Sequence, residues 1–287
     1  MLAVVGYLVV AAAVFGGFVL AGGHVAALIQ PYEFIIIFGA ALGAFFIANP
    51  PRVLFAVLSG FPRVFQPSRF NKALYMELLS LLFELLQKVR REGLMAIESD
   101  VETPDTSAVF SKYTLVMRDK HLMEFLTDFL RMMVGGNLNS FEIESLMDTR
   151  IATHHNEGGK PIHAIERMAD GLPAFGIVAC VLGVVHTMES VGIPPAELGR
   201  LIAAALVGTF LGILLSYGFI GPLATALEHK LDESGKALEC IKEVLLASMN
   251  GYAPQVAVEF GRSVLYSHDQ PSFIELEEHL KNQRHKT

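Results

Sequence analysis

The stretch LIAAALVGTFLGILLSYGFIGPLATAL, residues 201–227, contains no Lys, Arg, Asp or Glu. At about 1.5 Å of rise per residue, a helix of that length crosses the roughly 30 Å hydrocarbon layer of a bilayer. Three other stretches share its character. Residues 172–188 are uncharged, and residues 1–51 hold one formally charged side chain, Glu33. The latter region reads as two spans, Met1 to Gly22 and about Phe34 to Ala48. Asn49, Pro50 and Pro51 end the second where the backbone regains water. The fold expected is all-α: a polytopic membrane protein with four transmembrane helices and a helical cytoplasmic domain between spans two and three. With no carboxylate in the third or fourth span, any ion the protein moves has to find its carboxylate elsewhere.

Charge is segregated along the 287 residues. Fourteen Lys and Arg lie between Arg52 and Asp170, seven follow Pro222, and Arg200 alone sits between the third and fourth spans. The positive-inside rule then puts the middle segment, the tail and both chain ends in the cytoplasm. The expected organisation is residues 1–51 as spans one and two, 52–170 as the cytoplasmic domain, 171–223 as spans three and four, and 224–287 as a cytoplasmic helix and tail. No Lys or Arg precedes the first apolar stretch, so it reads as a retained helix rather than a cleaved leader. A net charge of −7 argues against a nucleic-acid partner. Cys180 and Cys240 fall in different solvents, so neither a disulfide nor a metal cluster is expected.

Leu74, Leu78, Leu81, Leu82 and Leu85 have the spacing of an amphipathic helix over 70–91, ended by Gly93. A second helix is expected over 113–134, ended by Gly135, Gly136 and Asn137, and a shorter one with Ser140 as its cap. The fourth span is expected to run on as an amphipathic rod through Leu227, Leu231, Leu238, Ile241 and Leu245. Beyond Gly251 the pattern weakens, and the last dozen residues read as a solvated tail.

Gly176, Cys180, Gly183 and Thr187 recur along one face of the third span, as do Ala205, Thr209, Gly212 and Ser216 on the fourth. Such stripes either pack helices closely or line an ion path with hydroxyls. Pro173 reads as a first-turn proline or a hinge, and Pro222 as a kink. His186, three residues before Glu189, is an interfacial side chain or a proton relay. His154, His155, Glu157 and His163 match no standard zinc spacing and lie in a helix followed by a Gly158-Gly159 turn. Lys160 after those glycines does not complete a nucleotide loop. Arg90, Arg91, Glu92, Glu98 and Asp100 surround the Gly93 turn as a solvated helix end or as a steered docking surface.

LPAFGIV at 172–178, LGVVH at 182–186 and ALVGTFLGILLSYGFIGPLA at 205–224, with Arg90, Glu92-Gly93-Leu94 and Glu98, resemble the MotA family of flagellar motor stator subunits, in the MotA/TolQ/ExbB proton channel superfamily. The resemblance implies a pentameric ring in the inner membrane around a dimer of MotB, whose membrane helix supplies the missing aspartate. Ion flow then turns the ring, and Arg90 and Glu98 push charged residues of the rotor protein FliG. It implies an ion path past Thr209, Cys180, Ser216 and Thr187, with Pro173 and Pro222 coupling protonation to helix movement. No catalytic residue, bound metal or cofactor is implied. Sodium-type relatives have threonine where Cys180 stands, and a thiol is a poor ligand for a hard cation, so the expected ion is the proton. An ExbB or TolQ kind of channel has three spans, and a membrane enzyme or carrier needs intramembrane acids or nucleotide motifs.

Overall fold

The computed structural model describes residues 2–284 apart from Asn137, Ser190 and Val191. The expected roles of Asn137 in ending a helix and of Val191 in an outer connection lie outside the described residues. Among those residues there is no strand, and four helices are long and apolar enough to cross a membrane. The chain divides into two compact units, 1–67 with 157–229, and 68–156 with 230–287.

The first unit opens with α1, Leu2–Leu20, which has no buried residue. Its outward Leu8 and Val9 suit lipid rather than a protein core. After the single-turn Val25–Leu28 comes α2, Pro31–Ala48, with Pro31 in its first turn, where a missing N–H costs nothing. This start is earlier than the expected Phe34, and it places Glu33 inside the helix. α3, Pro51–Val64, is a shorter amphipathic helix.

The long helix α7, Ser140–Met188, and its successor α8, Pro195–Met249, supply the third and fourth spans and continue into the second unit. For α7 this corrects three expectations. The cap is Asn139 rather than Ser140: Asn139 Oδ1 accepts from the Glu142 amide at 2.9 Å, while Glu142 Oε2 accepts from the Asn139 amide at 2.9 Å. That reciprocal pair is a capping box. The helix is 49 residues long rather than short. It also continues as a helix through Gly158 and Gly159, where a turn was expected, because flanking helical turns outweigh the propensity cost of two glycines.

The second unit is built on α4, Lys72–Glu92, capped by Asn71 Oδ1, which accepts from the amides of Ala73 and Leu74. Leu74, Leu78, Leu81, Leu82 and Leu85 are all buried, as their spacing requires. Gly93 ends the helix at φ +87, a conformation that side chains with a Cβ avoid. After the short α5, Glu98–Glu102, the expected single helix over 113–134 is two pieces, the one-turn Thr114–Met117 and α6, Lys120–Gly135. Asp119 divides them, its side chain accepting from the Leu122 amide at 3.1 Å.

The tail is also more ordered than its weak pattern suggested. α9, Pro254–Ser263, packs on α4, and α10, Phe273–Arg284, buries Leu276 and Leu280. Gly261 lets α9 approach α8 closely: a Cβ there would lie 2.9 Å from the Cys240 carbonyl oxygen. The Cys240 thiol beneath is fully buried, and that burial pushes its pKa up.

Candidate ion path and docking surface

Within the first unit, α7 and α8 meet along glycines. A Cβ on Gly176 would stand 2.8 Å from the Gly208 carbonyl oxygen, and one on Gly212 would stand 2.7 Å from that of Leu172. One on Gly183 would stand 2.6 Å from the Ala205 Cβ. The two backbones are therefore in contact, and the small residues of both stripes are first of all packing surfaces.

That contact decides where the four candidate ion-path residues fall, and it does not bring them onto one open face. Thr187 is 1% exposed, and its hydroxyl donates to the Gly183 carbonyl at 2.8 Å, so it is spent on its own helix. Ser216 is equally buried, and among the described residues its Oγ has no hydrogen-bond partner. Thr209 and Cys180 remain half-buried beside the glycine seam, with the Cys180 amide nitrogen 3.1 Å from a Cβ built on Gly208.

Pro173 lies in the interior of α7, 33 residues past Ser140, which removes the first-turn reading. Its ring leaves the Ala169 carbonyl without its usual donor. Pro222 does the same to Gly218, and the backbone just before it, Leu214–Ile220, is wound as a π-helix inside α8. A π segment of this kind is a known response to a break in the hydrogen-bond ladder and marks a place where a helix can bend. α1 has its own π segment, Ala12–Gly16, which no sequence signal announced. The two helices meet at the α8 segment, where the Tyr7 hydroxyl donates to the Phe219 carbonyl at 3.0 Å.

The third and fourth spans carry no carboxylate of their own, as read from the sequence, but one from another helix lies against them. Glu33 on α2 reaches the glycine seam. Its Oε1 lies 3.3 Å from a Cβ built on Gly183, and its Oε2 lies 2.9 Å from one built on Gly208. Oε2 is buried and, among the described residues, has no hydrogen-bond partner. The signal was in the sequence, as the one charged residue among the first 51, but only folding reveals which helices it faces.

In the second unit Arg90 and Glu98 are both exposed on either side of the Gly93 turn. Among the described residues neither makes an ion pair. Arg90 borders a shallow groove with Gln87, Arg91, Ala253, Pro254 and Gln255. Glu98 borders another, with Met95, Glu102, Arg131 and Gly135. Met95, 63% exposed, stands between the charges. Asp100 leaves the cluster: it is buried, bound at 2.7 Å to both Lys88 Nζ and Ser107 Oγ, and braces α5 against α4. Arg131 and Gln255 join from segments that sequence spacing did not connect.

The histidines singled out in the sequence make pairwise contacts rather than a metal cluster among the described residues. His154 Nε2 lies 3.0 Å from Ser234 Oγ, His155 pairs with Asp232 at 3.5 Å, and His163 Nδ1 lies 2.9 Å from Glu166. His186 is 3.9 Å from Glu189, both side chains mostly exposed.

Four long apolar helices, a glycine seam between the last two and a separate charged helical unit define an all-α, multi-pass membrane protein. Residues 4–93 match the profile of the motility protein A N-terminal region, and residues 118–240 match that of the MotA/TolQ/ExbB proton channel family. The chain is 50% identical to motility protein A of Salmonella typhimurium over 281 residues, covering 98% of this chain and 95% of that one. It has the same identity and coverage with motility protein A of Escherichia coli strain K12. Its fold resembles a chain of the flagellar MotAB stator complex from Bacillus subtilis, with a TM-score of 0.73, 27% identity and coverage of 89% and 92%. It also resembles one of the C. jejuni MotAB structure, with a TM-score of 0.78, 20% identity and coverage of 94% and 98%. The chain belongs to the motility protein A family, whose members are stator ion-channel subunits and not enzymes.

Proposed function

We propose that five copies of this chain surround a dimer of MotB in the bacterial inner membrane, with both termini cytoplasmic, and that proton flow through the assembly drives flagellar rotation. The observation that carries this reading is the glycine seam. Two helices held at backbone distance form a stiff wall, and Thr209 and Cys180 stay half-buried beside it, within reach of a further helix. The partner supplies an aspartate, and the Thr209 hydroxyl helps to hold the water or proton that reaches it. Thiol at Cys180 in place of a hard oxygen ligand favours protons over sodium.

Protonation of the partner carboxylate changes the charge against the wall and with it the helix conformation that is favoured. Pro173 and Pro222 let α7 and α8 bend, since each lacks one rung of its helical ladder. Arg90 and Glu98 act on charges of the rotor protein FliG. Exposed charges without internal partners give steering and register rather than tight binding. No cofactor enters this scheme, and the proton is cargo.

The test is flux in liposomes. The chain reconstituted with MotB should conduct protons and the chain alone should not. Robust conductance by the chain alone would overturn the proposal.

A further inference from the structure

The carboxyl group of Glu33 has no role in the scheme above, yet its position is unusual. It stands in the first turn of α2, a helix that crosses the membrane, and its two oxygens sit over Gly183 of α7 and Gly208 of α8. A methyl group at either glycine would press on a carboxylate oxygen, at 3.3 Å and 2.9 Å respectively. The notch in the glycine seam is therefore shaped to take this side chain. A glutamate that only needed water would extend along the helix to the interface. This one turns inward, and its buried Oε2 has no donor among the described residues. Intramembrane carboxyl groups in such surroundings mark ion pathways. Around it lie Ala179, Ala205 and the Cys180 amide, and Gly208 is the immediate neighbour of Thr209.

We propose that Glu33 is a second proton-holding group of the ion path, placed on the outer side of Thr209; this rests on the function and orientation proposed above. The group takes a proton from hydronium arriving from outside, leaving water, and a carboxylate oxygen becomes a hydroxyl. It then releases that proton to a water on the Thr209 side and returns to carboxylate. Toward the outer ends of the helices facing it, the ionisable side chains are Cys180 and His186 on α7, Glu189 just past its end, and Glu197 and Arg200 on α8. His186 and Glu189 lie one to two turns outward of Gly183.

The experiment uses the whole complex with MotB, in liposomes and in swimming cells. Glu33→Gln keeps the shape and removes the titrating proton. Proton flux should fall about tenfold, with the amount of complex in the membrane unchanged, and Glu33→Asp should recover part of it. Wild-type flux in Glu33→Gln would overturn the inference, and if Glu33→Ala alone were impaired, the side chain would be a spacer. Should Glu33→Gln fail to assemble, Glu33→Asp and Glu33→Asn decide together: an intact Glu33→Asp complex that conducts better than Glu33→Asn supports the relay, and equal flux in the two overturns it. A wild-type complex that conducts no protons would sink the proposed function itself, and this inference with it.

Discussion

Tyr7 and Phe219 are joined twice: the Tyr7 hydroxyl donates to the Phe219 main-chain carbonyl at 3.0 Å, and the two rings stack with centroids 5.4 Å apart. The carbonyl belongs to the π segment that precedes Pro222, so the first span serves the backbone of the fourth where its own ladder is irregular. Tyr7→Phe keeps the stacking and removes the bond. It should destabilise the folded chain by about 0.5 to 1.5 kcal/mol, measured as a lower thermal midpoint in detergent. Rotation speed should become more sensitive to load if that bend is part of the work cycle.

The glycine seam predicts a sharp contrast between positions. Gly176→Ala and Gly212→Ala place a methyl against backbone atoms that cannot move aside, and each should cost about 1 to 3 kcal/mol. Gly199→Ala meets nothing within 4 Å and should leave stability unchanged or raise it by up to about 1 kcal/mol, the helix-propensity gain over glycine. Thermal unfolding of the three purified variants checks the ordering.

Two hydroxyls of the same stripe should behave oppositely. Thr209→Val should slow rotation and proton flux together, by roughly 0.5 to 2 kcal/mol in effective barrier, the range of a membrane hydrogen bond. Ser216→Ala removes a buried hydroxyl that has no partner among the described residues, so stability should hold or rise. Flux and unfolding measured on both variants separate an ion-path role from a packing role.

Arg90→Glu or Glu98→Lys should impair motility while leaving membrane insertion and assembly intact, because both side chains are exposed and neither is tied into the fold. A compensating reversal on FliG should restore part of the motility. Swimming at the normal rate by the double variant would reassign the pair to an ordinary solvated surface.

Cys240 should resist thiol reagents in the folded chain. Burial disfavours the thiolate and pushes its pKa up, so raising the pH to 9 should yield little modification until the protein is unfolded. Because the folded pKa lies above the unfolded one, the unfolded chain ionises first, and stability should decline as pH passes the ordinary thiol range. Timed labelling with and without denaturant measures the difference.

Local order was legible in sequence wherever one segment decided its own fate. The leucines of α4 repeat at helical spacing and are buried, and Gly93 ends that helix because its backbone takes a positive φ. Reading failed where a distant partner settled the outcome. Leu276 and Leu280 looked like tail residues because their burial depends on helices far away in the chain. Gly158 and Gly159 looked like a turn because their cost is local, while the helix on both sides that outweighs it is not.

By itself, the sequence determined that four long apolar stretches must be helices in lipid, since a single segment satisfies its own backbone there only as a helix, and where the charges must lie. Its motifs also carried the family resemblance. Only the tertiary structure decided which faces of those helices meet. It divided Thr187 and Ser216, which are buried, from Thr209 and Cys180, which stay half-buried beside the glycine seam, and it turned Glu33 onto that seam. The physical reason is that helical periodicity orients a residue on its own helix, whereas burial and hydrogen bonding depend on what another helix places opposite it.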